Sequence, residues 1–274
     1  MRNIPSRIPR KALHWTGGIF VSILLALFIK IFLIEIYKVP SQSMMPTLIP
    51  GDFIVVSKIN YGARLLKIDK LIKQKEIDYL RAGSFQKINR NDLVVFNWPG
   101  YYTLYTSAPN MYGECIVKRC CGIPGDTVII KDDEINAEIE INPSKKLDLF
   151  PHDSTIHWTI NDFGPLFVPG KGKTINLSAQ NAIIYKDVIK YEGYNITIRN
   201  DSAFLNNRYS THFTFTTNYY FMKGDNFYGS QDSRYWGFVP EKNIIGRVAL
   251  ILFSNGNYGW QWNRLFKSIP VTSN

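Results

Sequence analysis

Ser43 is the residue whose setting best suits nucleophilic chemistry. It lies in Val39-Pro40-Ser41-Gln42-Ser43-Met44-Met45-Pro46-Thr47-Leu48, bracketed by two prolines. Each proline fixes its own φ and pushes its predecessor toward extended backbone. A serine in so stiff a loop loses little further freedom on meeting a substrate. A hydroxyl is nevertheless a weak nucleophile and needs a base. The four histidines, His14, His152, His157 and His212, are scattered, and no His/Asp pairing stands out. The three cysteines, Cys115, Cys120 and Cys121, are too few and too close together for a disulfide framework. They read as small buried hydrophobes. No second Cys/His cluster has ligand spacing, so neither a metal nor another cofactor is expected. Taken alone, a serine between prolines is more often a polar turn.

Other stretches change that balance. The segment from Pro40 to Leu48 closely resembles the serine box of the type I signal peptidases, P-S-x-S-M-x-P-T-L. Three further segments match the same family in the same order. They are Gly51-Asp52-Phe53-Ile54-Val55-Val56-Ser57-Lys58, then Val117-Lys118-Arg119-Cys120-Cys121-Gly122-Ile123-Pro124-Gly125-Asp126, then Gly224-Asp225-Asn226 with Ser230-Gln231-Asp232-Ser233-Arg234-Tyr235-Trp236-Gly237-Phe238-Val239-Pro240. Four boxes in order behind an N-terminal apolar segment are specific. The stretches between them carry no such match.

The resemblance implies a membrane-anchored serine endopeptidase that cuts signal peptides from exported preproteins by a Ser-Lys dyad, one of the variants of triad logic. It makes Ser43 the nucleophile and Lys118 the general base. An acyl-enzyme forms on Ser43 and is then hydrolysed. It assigns Ser230 to orienting the lysine, and the Ser41 hydroxyl with the Ser43 amide to the oxyanion hole. Asp225 belongs to the turn feeding the Ser230 loop, and Asp232 with Arg234 to an ion pair supporting it. Small side chains of a preprotein bound as an added strand would enter apolar pockets, with Met44, Phe53 and Ile54 as lining. The local sequence permits a neutral lysine. Ile116, Lys118 and Cys120 share one face of a strand, and Arg119 must point the other way. Burial against apolar neighbours would pull Lys118 below its free value of about 10.4. By itself Lys118 would read as an edge or solvent-facing charge. Phe227-Tyr228-Gly229 departs from the family's frequent Arg-Asp-Asn, which puts the geometry of that loop in question while sparing Ser230.

The elements that must hold these residues are mainly strands. Residues 1–12 carry Arg2, Arg7, Arg10 and Lys11 and no acid. Residues 13–36 are mostly apolar, interrupted by Lys30 and Glu35, and long enough to span a bilayer as an uncleaved anchor. The basic flank predicts a cytoplasmic start and a catalytic domain outside the inner membrane, with one pass. Phe53–Lys58, Leu93–Phe96, Cys115–Cys121 and Thr127–Lys131 read as strands, the last two as a hairpin. The spacing of Leu65, Ile68, Leu71 and Ile72 among basic residues predicts a partly amphipathic helix within 64–90, solvated or lipid-facing. Residues 132–202 read as an inserted β-rich lobe, which the resemblance also implies. Residues 37–131 and 203–274 then form a split catalytic β domain, with strands at Tyr219–Lys223 and Ile244–Phe253. Tyr258, Trp260, Trp262 and Phe266 give an aromatic tail suited to core packing or to an interface.

The fold class expected is therefore mainly β: an N-terminal transmembrane helix, then a β-rich catalytic domain carrying a second β lobe. The formal net charge of +10 over 274 residues fits nucleic acid or anionic lipid. No nucleic-acid-binding signature appears, so the expected partners are preproteins and membrane lipid. Two other functions fit parts of the sequence. A self-cleaving Ser-Lys repressor would need a DNA-binding domain where the apolar segment stands. An inactive membrane-tethered binding protein would have no use for both catalytic candidates.

Overall fold

The computed structural model describes residues 10–66, 79–99, 115–131, 149–256 and 259–269. The first described element is the helix Arg10–Phe28, which passes into a π-helical turn at Ile29–Leu33. Among the described residues one helix, Trp15–Leu33, is long and apolar enough to cross a membrane, with mean hydropathy 2.3 and no part packed inside the protein. The apolar run predicted as anchor ends earlier than its composition implies. Ile34–Lys38 is a strand, paired antiparallel with Asp52–Ser57 from Ile34↔Ser57 to Lys38↔Phe53. β-Branched Ile34 and Ile36 suit that strand, and hydropathy alone does not separate it from the helix before it.

Among the described residues the dominant feature is a nine-stranded antiparallel sheet: seven strands along one path, and Gly259–Trp260 and Lys267–Ser268 paired off it on Ile244–Gly256. Along its path run Ile34–Lys38, Asp52–Ser57, Ile244–Gly256, Leu93–Asn97, Cys115–Gly122, Tyr219–Lys223 and Val239–Pro240. The thirteen-residue strand Ile244–Gly256 pairs with Asp52–Ser57 at its far end and with Leu93–Asn97 at its start, with register shifts that bend it. Bulges of this kind let one strand serve a curled sheet. One apolar cluster, with Val39, Met44, Leu48, Ile54, Val56, Val95 and Val248, packs beneath the serine loop.

Three turns, two feeding strands of this sheet and the third feeding Thr127–Lys131, share one device. Gly51 (φ 99°), Asn91 (φ 69°) and Gly125 (φ 98°) take left-handed backbone, and an aspartate follows each. Its carboxylate accepts the N–H three residues back: Ile49 to Asp52 at 2.9 Å, Asn89 to Asp92 at 2.9 Å, Ile123 to Asp126 at 3.0 Å. Each aspartate also meets an arginine, namely Arg264, Arg247 and Arg90. The side chain thus closes the turn and an arginine from elsewhere ties it down.

The stretch expected to form a β-rich lobe differs from expectation in three ways. Thr127–Lys131 does not form a hairpin with Cys115–Gly122; it pairs with Asp162–Phe167. Two short helices, Ala179–Ile184 and Lys186–Tyr191, lie where strands alone were expected. Its strands also pair with residues past 202: Ser202–Leu205 pairs with Ile196–Arg199, and His212–Thr214 with Thr174–Asn176. Phe163, Leu166, Tyr185 and Val188 of this stretch share one hydrophobic cluster with Phe221 and Phe238. In the basic stretch, Arg64–Leu66 and Tyr79–Arg81 form a two-stranded ladder rather than helix, and residues 67–78 lie outside the described residues. Much of the basic N-terminus, Tyr258 and residues 132–148 of the lobe also fall outside them.

Candidate active site

Ser43 sits on a loop pinned from both sides. Met44 and Leu48 are wholly buried beneath it, and burying each such side chain is worth about 1.5–3 kcal/mol. Met45 N–H donates to the Gln42 carbonyl at 3.0 Å and Leu48 N–H to the Met44 carbonyl at 2.9 Å, closing two successive turns. From the opposite side, Asn226 N–H donates to the Ser43 carbonyl at 3.1 Å and its side-chain amide to the Gln42 carbonyl at 3.2 Å. The serine box and the Gly224-Asp225-Asn226 box, far apart in sequence, are thus bonded main chain to main chain. The Ser43 side chain is left facing Lys118.

Lys118 is buried, on the inner face of Cys115–Gly122 and opposite Val94 of the neighbouring strand. Its ammonium donates to Ser43 Oγ at 2.5 Å. Burial pushes this lysine down to about 8; Arg234 pushes the same way, while Asp232 and Asp225 oppose. Desolvation wins because the ammonium has lost most of its water. Ser41 Oγ lies 3.3 Å from Ser43 Oγ, at the exposed mouth of the loop.

Ser230 is buried and its Oγ has no hydrogen-bond partner among the described residues. It packs on Gly224, where a Cβ would collide with Ser230 Oγ and would lie 2.5 Å from the Ser43 carbonyl oxygen. Only glycine lets the serine loop and the Ser230 loop come this close. Asp232 and Arg234 form a wholly buried pair, with Nε to Oδ1 and a terminal nitrogen to Oδ2 both at 2.8 Å. The same aspartate accepts Gly224 N–H at 2.9 Å and caps the short helix Ser233–Trp236. The guanidinium also lies 4.4 Å from the Phe227 ring centre and donates to the Phe227 carbonyl at 2.6 Å. Phe227, the departure from the family pattern, therefore covers the arginine instead of loosening the loop. A bidentate pair of this kind is the geometry for which arginine is suited.

Of the three residues expected to line a substrate pocket, Met44 and Ile54 are core side chains without accessible surface. Both lie in the cluster under the loop because strand alternation and the turn at Gln42–Met45 aim them inward. Phe53 is half-buried, stacked on Phe253 with ring centres 4.3 Å apart.

A family model described as "Signal peptidase, peptidase S26" matches residues 12–253. The chain belongs to the signal peptidase family, peptidase S26. Proteins similar to it include one called Signal peptidase I in Buchnera aphidicola subsp. Baizongia pistaciae (strain Bp), 31% identical over 90% of this chain and 81% of that protein. Another Signal peptidase I, from Buchnera aphidicola subsp. Schizaphis graminum (strain Sg), is 30% identical over 87% of the chain and 74% of its own length. A third, from Pseudomonas aeruginosa, is 29% identical over 86% and 70%.

Two residues of this signal peptidase family member bear on the site without having been singled out. Arg119, next to Lys118 but on the opposite face, holds Asp225 through two bonds at 2.7 and 2.6 Å and reaches the Asn91 carbonyl and Thr47 Oγ1. It ties the serine loop, the lysine strand and the Asn226 turn together. Alternation along the strand did predict its direction, but the acid it meets lies 106 positions away. Arg264 in the aromatic tail holds the same Thr47 end of the serine loop, bonding Asp52 Oδ1 at 2.8 Å and the Thr47 carbonyl at 3.0 Å. Both are arginines chosen by distant aspartates, a relation that local pattern does not carry.

Proposed function

We propose that this signal peptidase cuts exported preproteins by attack of Ser43 Oγ on the scissile carbonyl, with Lys118 as general base. The observation that carries this reading is the 2.5 Å contact between the buried Lys118 amine and Ser43 Oγ. Neutral Lys118 takes the serine proton, an acyl-enzyme forms on Ser43, and the lysine delivers the proton to the leaving amine. Water activated by Lys118 then hydrolyses the ester. The Ser43 amide and the Ser41 hydroxyl meet the charge developing on the carbonyl oxygen. Ser230, whose buried hydroxyl has no hydrogen-bond partner among the described residues, is free to turn to the lysine and orient it. Asp225, Asp232 and Arg234 support the loop and do not react. The test is a reaction of the purified protein with a preprotein: a single cut releasing the signal peptide is expected. An intact preprotein after prolonged incubation with folded protein would overturn the reading.

The orientation is a second proposal. The basic residues from Arg2 to Lys11 favour a cytoplasmic N-terminus, so the domain after Val39 lies outside the inner membrane. Exposed Trp262 and Phe266 suit contact with lipid. Protease added to intact spheroplasts should digest the catalytic domain; protection until the membrane is broken would reverse the assignment.

A further inference from the structure

A helix leaves its last four carbonyls without intrahelical partners. At the end of the anchor, Lys58 meets two of them. Its backbone N–H donates to the Leu33 carbonyl at 2.8 Å, and its ammonium donates to the Lys30 carbonyl at 2.9 Å. The same ammonium pairs with Glu35 at 2.7 Å, two residues past the helix end, with only 13% of the lysine side chain exposed. One residue thus closes the anchor onto the strand Asp52–Ser57, which it directly follows.

From this clasp the bonding runs unbroken to the site. Ile34–Lys38 pairs with Asp52–Ser57 at every position, and Val39 N–H continues the ladder to the Asp52 carbonyl at 2.8 Å. At roughly 3.3 Å per residue, Leu33 to Val39 makes a stiff rod of about 20 Å. Ser43 follows four positions later. On the face that carries Glu35, Tyr37 interacts electrostatically with both Glu35 and the Cys115 thiol. Cys115 opens the strand that bears Lys118. The nucleophile's loop is therefore bonded through this ladder to the end of the membrane helix, and the same sheet carries the strand of Lys118.

We infer that Lys58 and Glu35 are a positioning pair that joins the anchor helix rigidly to the catalytic sheet and so sets the height of Ser43 above the bilayer. The inference rests on Ser43 being the nucleophile. A preprotein whose signal segment lies in the membrane presents its scissile bond at one height. A rigid joint holds the nucleophile at that height, whereas a swivelling domain spends most of its time elsewhere, which lowers the effective concentration of one for the other. A short soluble peptide carries no such constraint. The pair therefore governs cleavage of membrane-held substrate and is indifferent to chemistry on free peptide.

The experiment compares full-length wild type, Lys58→Glu, Glu35→Lys and the double reversal, each in proteoliposomes. Every protein is given a membrane-inserted preprotein and, separately, a short peptide spanning its cleavage site. Each single reversal should lower kcat/KM for the preprotein about tenfold, equivalent to roughly 1.4 kcal/mol. Peptide cleavage should stay within about twofold, well inside that discrimination. The double reversal restores opposite charges at the two positions and should recover much of the preprotein rate. Unchanged preprotein cleavage in both single variants overturns the inference. So does an equal loss on both substrates, which would make the pair a general prop of the fold. So does a double reversal no better than the worse single variant. Wild type inactive on both substrates would instead refute the peptidase assignment itself.

Discussion

Ser43→Ala should give a folded protein with essentially no signal-peptide cleavage. The loss in kcat should be about 10⁴- to 10⁶-fold, the range seen when a serine protease loses its nucleophile. The fold should survive because nothing that pins the loop uses the hydroxyl. The Ser43 carbonyl accepts Asn226 N–H, Met44 and Leu48 fill the core below, and Asp52 closes the following turn. The cost falls on Lys118, which loses the partner 2.5 Å away. A buried lysine already lowered to about 8 answers that loss by releasing its proton more readily. The thermal midpoint should therefore move by only a few degrees, since about 1 kcal/mol shifts Tm by roughly 2–4 °C at this size. Adding Lys118→Ala to Ser43→Ala should cost no further activity, because residues acting as one unit are not additive. Single-turnover assays on a preprotein, with a melting curve on the same sample, decide it. A folded Ser43→Ala protein that still turns over would remove Ser43 from the mechanism.

The proximity of Ser43 and Lys118 was legible in the sequence only through family resemblance. No local rule brings residues 43 and 118 together; the resemblance did, and the structure puts their side chains in contact. Strand alternation correctly put Lys118 on an inward face and Arg119 on the other, because a period of two survives any tertiary arrangement. The same logic failed at Ile34–Ile36, where an apolar run continues from helix into strand and hydropathy does not change at the junction. It failed again at Thr127–Lys131, whose nearest strand in sequence is not its partner. A tight Pro-Gly-Asp turn predicts a reversal of the chain, but Gly125-Asp126 leads its strand to Asp162–Phe167 instead. Met44 and Ile54 show the limit of composition. An apolar residue beside a nucleophile reads equally as pocket lining or core, and only the direction of its Cβ separates the two. The ion pairs Arg119–Asp225 and Arg264–Asp52 span 106 and 212 positions. In a chain with 32 basic and 22 acidic residues, no pairing rule selects them.

Peptide cleavage should rise with pH and level off above about 8, and Lys118→Arg should be inactive. The argument begins from the requirement that a base be unprotonated in the free enzyme. At the ordinary lysine value of 10.5 about one molecule in three thousand would hold a neutral amine at pH 7. At about 8 that becomes roughly one in ten. Log kcat/KM should therefore climb with a slope near one up to that value, then flatten. The sign follows from burial: removing water disfavours the ammonium, so the neutral form gains. Arg234 adds to the effect, while Asp232 and Asp225 oppose it. Neutralising Arg234 while leaving its partner aspartate charged would move the ascending limb to higher pH. The same shift appears in stability. Between about 8 and 10.5 the unfolded chain holds a proton that folded Lys118 has released, so this group makes stability increase with pH across that window. Below about 8 both states are protonated and the unfavourable burial of the ammonium is fully felt. Lys118→Arg keeps length and charge but never yields a base, because guanidinium stays protonated throughout. The decisive data are kcat/KM against pH from 6 to about 11, a span that brackets both lysine values, on a short peptide, with Lys118→Arg measured in parallel. An ascending limb at the free-lysine value, or an active Lys118→Arg enzyme, would exclude Lys118 as the base.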